Sequence, residues 1–235
     1  MVLGTVVNAL AILAGGAVGL LAKGGLKENM RTILNQGVSL AVIFVGAAGC
    51  IGGMLQHGAN PVLFIISLAV GGVAGELLKI EGRLEQLGGW LQARLKTKSP
   101  QGGISQGFVA ASLIFCVGTM AVLGSLESGV SGNNTILYAK SLLDGIIAIV
   151  MASTLGLGVL FSAASVLLYQ GVLTLLAVWV SPFLTADMLR ELAIVGGILI
   201  TAIGLNMLGL TKIRVGNMLP ALIVPIIYYA VAGLF

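Results

Sequence analysis

Residues 60–78 read NPVLFIISLAVGGVAGELL, and from Pro61 to Gly75 no side chain carries a charge. A membrane-spanning helix needs roughly 20 mostly apolar residues, because the hydrocarbon core of a bilayer is about 30 Å thick. This stretch meets that requirement, and working outward from it the same pattern recurs seven more times. The spans read as Val2–Ala22, Gln36–Leu55, Asn60–Leu78, Ile104–Leu126, Leu137–Phe161, Ser162–Ser181, Glu191–Leu210 and Val215–Phe235. No polar linker separates the fifth from the sixth; Gly156, Gly158, Ser162 and Ser165 mark the turn.

Composition agrees. The chain has 235 residues, 58% hydrophobic and only 9% charged, with a mean hydropathy of +1.10. Soluble domains are about 25% charged. A chain this apolar cannot cover itself with polar surface, so its solvent is the lipid bilayer. The expected fold is all-α: a polytopic helical bundle of about eight spans, residues 1–235 forming one integral membrane domain. Its 35 glycines suit close helix contact in a membrane. The pairs Gly15/Gly19, Gly49/Gly53 and Gly71/Gly75 have the spacing for it.

Cytoplasmic loops of membrane proteins carry the excess of Lys and Arg. Lys23, Lys27 and Arg31 follow span one. Lys79, Arg83, Arg94, Lys96 and Lys98 follow span three, and Lys212 and Arg214 follow span seven. With eight spans these ten of the 12 basic residues share one side. Arg190 falls on the other and Lys140 inside span five. Both termini are therefore expected outside the cytoplasm. Val2–Ala22 lacks the basic leader of a signal peptide and reads as an uncleaved span.

The segment at about 76–96 differs from the rest. Leu77, Ile80, Leu84, Leu87, Leu91 and Leu95 recur at helical spacing, with charged and amide side chains between them. This predicts a cytoplasmic-side amphipathic helix, weakened at Gly88 and Gly89, and then a linker over Thr97–Gly103. It either continues span three, lies on the membrane surface or meets a partner helix. Glu28–Gly46 also resembles Asp187–Gly204 faintly. Spans one to three and six to eight lie five apart, which would give them opposite orientation, as in inverted-repeat transporters.

Ionisable residues inside spans are functional candidates by default. Asp144 lies about two turns into span five, with Lys140 four residues earlier on the same helix face. The pair is read either as a titrating or ion-facing site or as a structural ion pair. Glu76, after Gly71, Gly72 and Gly75, is placed at an inner mouth or an ordinary boundary. Asn8, Gln170, Asn206 and Asn217 supply polar contacts to a solute or bond between helices. Pro220 and Pro225 predict a kinked or broken span eight.

Other chemistry finds little footing. Cys50 and Cys116 fit no metal motif and read as small buried residues. His57, the one histidine, lies in an outside loop. No zinc, phosphate-loop or nucleophile–base pattern is seen. No cofactor, metal or catalytic residue is expected, and the spread of basic residues argues against nucleic acid.

Several motifs resemble one family. Gly75-Glu76-Leu77-Leu78-Lys79-Ile80-Glu81-Gly82-Arg83-Leu84-Glu85 is similar to a signature of the bacterial DUF554 membrane proteins. So are Phe115-Cys116-Val117-Gly118-Thr119-Met120 with Leu123-Gly124-Ser125, Lys140-Ser141-Leu142-Leu143-Asp144-Gly145, Gly204-Leu205-Asn206, and Arg214-Val215-Gly216-Asn217-Met218-Leu219-Pro220-Ala221. The resemblance covers nearly the whole chain. It implies a bacterial inner-membrane protein, a class in which some members are labelled transporters, and carries no substrate or catalytic residue over. Thr119 stands where a proline is frequent in the family, which predicts a straighter span four. The leading expectation is a secondary transporter or channel for a small solute or ion, probed through Asp144 and Lys140 and built as a homo-oligomer. The alternative is a non-transporting scaffold or regulator acting through the helix at 76–96.

Overall fold

The computed structural model describes residues 2–25, 28–84, 86, 90, 103–116, 119–180 and 185–232. Among the described residues there are helices and no strands: α1 (Leu3–Gly25), α2 (Glu28–Met54), α3 (Pro61–Leu78), α4 (Gly103–Cys116), α5 (Thr119–Ser131), α6 (Thr135–Leu155), α7 (Gly158–Leu175), α8 (Ala177–Val180), α9 (Ala186–Met207), α10 (Val215–Met218), a 3-10 turn over Leu219–Leu222, and α11 (Ile223–Ala232).

Six helices are long and apolar enough to cross a membrane: α1, α2 from Asn35, α3, α6, α7 and α9. The eight expected spans otherwise appear with two changes. Span four is not straight. It is the pair α4 and α5, whose axes differ by 59°, so losing the family's proline at Thr119 does not straighten it. Span eight is the shorter apolar stretch Val215–Val231, broken at the 3-10 turn that holds Pro220. That break is the one expected from a proline without an N–H.

Local sequence explains the boundaries. Asn60 caps α3, its Oδ1 accepting from Val62 N at 3.1 Å and Leu63 N at 3.3 Å, with Pro61 at the first helical position. Thr185 caps α9, accepting from Met188 N at 3.1 Å, and Asp187 sits in the first turn. The turn between spans five and six falls at Gly156, whose φ of +78° suits glycine. α3 stops at Lys79, a non-glycine residue at φ +50°, and residues 80–84, 86 and 90 are helical beyond it. The amphipathic segment therefore does not continue α3 smoothly. Its other positions, including Gly88, Gly89, Arg94 and Lys96, lie outside the described residues, as do Lys27, Lys98 and most of the linker over Thr97–Gly103.

The chain packs as two compact units, Met1–Val38 with Glu85–Ser181, and Ser39–Leu84 with Pro182–Phe235. In the first, α1 lies parallel to α6. Gly4 meets Leu137, Gly15 meets the carbonyl of Gly145 and Gly19 that of Ile149, so both indices rise together. α1 runs antiparallel to α7, since Thr5 faces Thr174 while Gly16 faces Leu160.

In the second unit α2 and α9 cross antiparallel through glycine, and the contact is reciprocal. A Cβ on Gly46 would lie 2.5 Å from Thr201 N and 2.6 Å from Gly197 O. A Cβ on Gly204 would lie 2.9 Å from Ile43 N and 2.9 Å from Ser39 O. One offset of 158 residues turns the first set into the second. This is the local signature of a two-fold, and it gives the faint similarity between Glu28–Gly46 and Asp187–Gly204 a geometric counterpart. α3 likewise runs antiparallel to α10 and the 3-10 turn, Gly71 against Ala221 and Gly75 against Asn217. The Gly15/Gly19 and Gly71/Gly75 pairs thus serve packing within the chain.

Backbone against backbone cannot yield to an added methyl, whereas open space can accept one. Gly46→Ala is expected to destabilise the protein by about 1–3 kcal/mol. Gly52→Ala, where nothing lies within 4 Å, is expected to be neutral or stabilising by up to about 1 kcal/mol. Melting curves of the two variants in one detergent check the contrast in sign.

Candidate functional site

In the first unit the buried hydroxyls mostly close on their own helices. Ser141 donates to Leu137 O at 2.6 Å, Ser162 to Val159 O at 2.6 Å and Ser125 to Ala121 O at 2.7 Å. That local bond is the inexpensive way to hide a hydroxyl. Asn8, Lys140, Asp144 and Gln170 have no such exit, and the fold brings all four together.

α6 sets Lys140 and Asp144 one turn apart. Lys140 Nζ donates to Asp144 Oδ1 at 2.8 Å and Oδ2 at 2.6 Å, with side chains 8% and 5% exposed. The two side chains face each other as a close ion pair. α1 adds Asn8 and α7 adds Gln170, both wholly buried. Asn8 Nδ2 donates to Asp144 Oδ2 at 3.0 Å and to Gln170 Oε1 at 3.2 Å. One turn along α1, Thr5 Oγ1 stands 3.5 Å from Thr174 Oγ1.

The orientation of both amides follows from the carboxylate. An ionised Asp144 only accepts hydrogen bonds, so Asn8 must present its NH2 group. That group's second hydrogen then requires the oxygen of Gln170. Asn8 Oδ1 and Gln170 Nε2 are left buried with no partner among the described residues. Buried polar atoms are nearly always paired, so an orphan acceptor and an orphan donor at one place are the chemical mark of this site.

The second unit holds two further polar clusters. At the Lys79 break, Arg214 donates to both oxygens of Glu76 at 2.7 and 2.9 Å. Asn217 Nδ2 donates to Glu76 Oε2 at 2.7 Å, while its Oδ1 accepts from Glu81 N at 2.7 Å. Glu81 Oε2 in turn accepts from Gly216 N at 3.1 Å. Glu76 and Arg214 are more than half exposed, so this pair adds at most about 1 kcal/mol. Asn217 is the member that stitches the segment after α3 to α10. Asn206 stands apart: it donates to Ile213 O and accepts from Ile213 N and Thr211 Oγ1, which occupies its amide in holding the turn after α9.

The second cluster was not legible as a site. Arg190 and Glu191 read as a boundary charge and the first residue of a span. In the structure Glu191 is wholly buried and Arg190 is 7% exposed. Glu191 Oε1 accepts from Asn60 N at 2.9 Å. Arg190 donates to the carbonyls of His57 and Gly58 at 3.0 and 2.6 Å and to Asp187 at 2.6 Å. The available signal was three charged residues within five positions at the head of an apolar helix. Both cysteines are free and half-buried rather than buried, and among the described residues no group of three metal-ligating side chains occurs.

A bundle of apolar helices with ionised and amide groups enclosed among them defines a polytopic α-helical membrane protein. The chain belongs to the family described as Protein of unknown function (DUF554), whose profile matches residues 3–230. It is 35% identical over 225 residues to "Uncharacterized membrane protein YdfK" of Bacillus subtilis (strain 168), covering 94% of this chain and 93% of that one. It is 30% identical over 226 residues to "Uncharacterized protein YqgA" of Escherichia coli (strain K12), covering 95% and 94%. No solved structure matches it.

Removing one member of a buried ion pair strands the other. Asp144→Ala, which leaves Lys140 enclosed and unpaired, is expected to destabilise by about 3–5 kcal/mol. The double variant Lys140→Met with Asp144→Leu is expected to lose markedly less. Thermal unfolding of the two proteins side by side checks this.

Proposed function

We propose that the protein is a secondary transporter or channel for a small solute or ion, with Lys140, Asp144, Asn8 and Gln170 forming its intramembrane polar site. The observation that carries this reading is the orphan pair, Asn8 Oδ1 and Gln170 Nε2. A purely structural network would close its hydrogen bonds, since a polar group left unmade in a buried place costs about 1–3 kcal/mol. This one stops one partner short at each end, and a small occupant offering both a donor and an acceptor completes it.

The network also gives Asp144 a way to act. Protonation turns a carboxylate oxygen into a donor. Asn8 meets that donor only by presenting Oδ1, which turns the amide over and obliges Gln170 to follow. The two free atoms exchange roles, so the charge on Asp144 selects the hydrogen-bond pattern offered to the solute. Lys140, 2.6 and 2.8 Å from the two carboxylate oxygens, attracts the charged form and opposes this change. Cys116, on α4, lies within electrostatic reach of both, and Tyr169 lies near Cys116.

We place the protein in the bacterial inner membrane with both termini outside the cytoplasm, on the strength of the basic loops, and as a homo-oligomer. Glu76 and Asn217 sit on the basic-loop side, where an inner mouth would lie.

Proteoliposome flux against a panel of ions and small polar solutes at two pH values tests the reading. A flux that depends on pH in the wild type and loses that dependence in Asp144→Asn is expected, with Gln170→Leu slowing it at least about tenfold, the effect of one lost hydrogen bond to a site that needs it. Intact flux in Asp144→Asn removes Asp144 from the mechanism. Folded, inserted protein that moves nothing in the panel favours the scaffold reading instead.

A further inference from the structure

The Asp144 site carries no net charge, because Lys140 cancels its carboxylate. The second unit has no such balance. Asp187, Arg190 and Glu191 hold two negative charges against one positive, and Glu191 is the member with no exposure at all. Its Oε2 has no hydrogen-bond partner among the described residues.

Arg190 supplies one positive charge shared between two carboxylates. Its NH1 and NH2 groups are spent on the carbonyls of His57 and Gly58 and on Asp187. Its Nε lies 3.7 Å from Glu191 Oε1 and makes no hydrogen bond. Asp187, whose side chain is 58% exposed, takes the short ion pair and has water besides. The enclosed carboxylate is left with one backbone N–H and a 3.7 Å ion pair to the arginine it shares with Asp187.

We propose that Glu191 Oε2 is the centre of a monovalent-cation site, taking either a proton or an alkali ion. One positive charge brings the cluster to neutrality, and a buried carboxylate whose only counter-charge is shared is expensive to enclose. Exposed Asp187 would draw the ion toward it. The groups that face the site are Arg190 and Asp187 from α9, the backbone of His57, Gly58 and Asn60 from the loop before α3, and Tyr229 from α11, which lies within electrostatic reach of all three charged residues. The same contacts give binding a consequence. Glu191 and Arg190 together clamp the loop between α2 and α3, so neutralising Glu191 changes how firmly Asn60 and the head of α3 are held.

The test uses the full chain in nanodiscs and needs no transported solute. Melting temperature is followed as NaCl or KCl replaces choline chloride at constant ionic strength, and the infrared band of a neutral carboxyl group is followed as pH is lowered. A ligand that binds the folded state raises its melting temperature saturably. Such a rise with an alkali ion identifies a metal ion, and a neutral-carboxyl band without it identifies a proton. The matching response is expected to vanish in Glu191→Gln and to persist in Asp144→Asn, which separates this site from the one in the first unit. Should Glu191→Gln fail to fold, Asp187→Asn carries the test, with the midpoint weakened by about threefold to tenfold through loss of one partly screened charge. A wild type that shows neither response overturns the proposal, as does a variant at Glu191 or Asp187 that titrates like the wild type; the pocket then holds a water alone.

Discussion

Hydrocarbon offers no hydrogen bonds, and that one constraint organises this structure. Every polar atom inside a span must find its partner in the protein. Helices close the backbone, and several Ser and Thr hydroxyls close on the carbonyls of their own helices. Longer polar side chains need a partner from elsewhere in the fold. The exceptions therefore stand out clearly: Asn8 Oδ1, Gln170 Nε2, Arg190 Nε and Glu191 Oε2 are enclosed without one. They fall in two places, one in each unit, and each place combines an orphan acceptor with an orphan donor.

Glycine makes such enclosure feasible. Where α1 lies on α6, Gly15 and Gly19 bring backbone against the carbonyls of Gly145 and Ile149, and no side chain could intervene. That closeness sets Asn8 within reach of Asp144 from a neighbouring helix. In the second unit Gly75 does the same for Asn217 beside Glu76. The reciprocal crossing of Gly46 and Gly204 adds an architectural point. Two antiparallel helices that meet through equivalent residues share a local two-fold, which is how an inverted repeat brings its halves into contact.

The helical class, the membrane environment and the family could be read from periodicity, charge and motif. So could the Lys140–Asp144 pair, because i and i+4 share a helix face whatever the tertiary structure. The partnership of Asn8 and Gln170 with Asp144 could not, since it joins residues more than 130 positions apart and depends on which helices pack together. A straighter span four was expected because substitution of a proline is local information, whereas the axes of α4 and α5 differ by 59°. Asn206 looked the same as Asn8 in sequence, an amide in an apolar run, yet it holds a turn. Glu191 read as the first residue of a span because hydropathy cannot tell a helix head in water from one covered by the loop over residues 57–60.

The central claim is that the polar centre of the first unit lies on a route for solute rather than serving as a sealed structural knot. Substituted-cysteine accessibility tests it most directly. In a background with Cys50 and Cys116 replaced, Asn8→Cys and Gln170→Cys are treated from either side of the membrane with a charged, membrane-impermeant thiol reagent, with Ile12→Cys as the enclosed apolar control. The account predicts labelling at positions 8 and 170, because a transport cycle must open this centre to water, and none at 12. Folded protein in which positions 8 and 170 stay as unreactive as position 12 from both sides would contradict it.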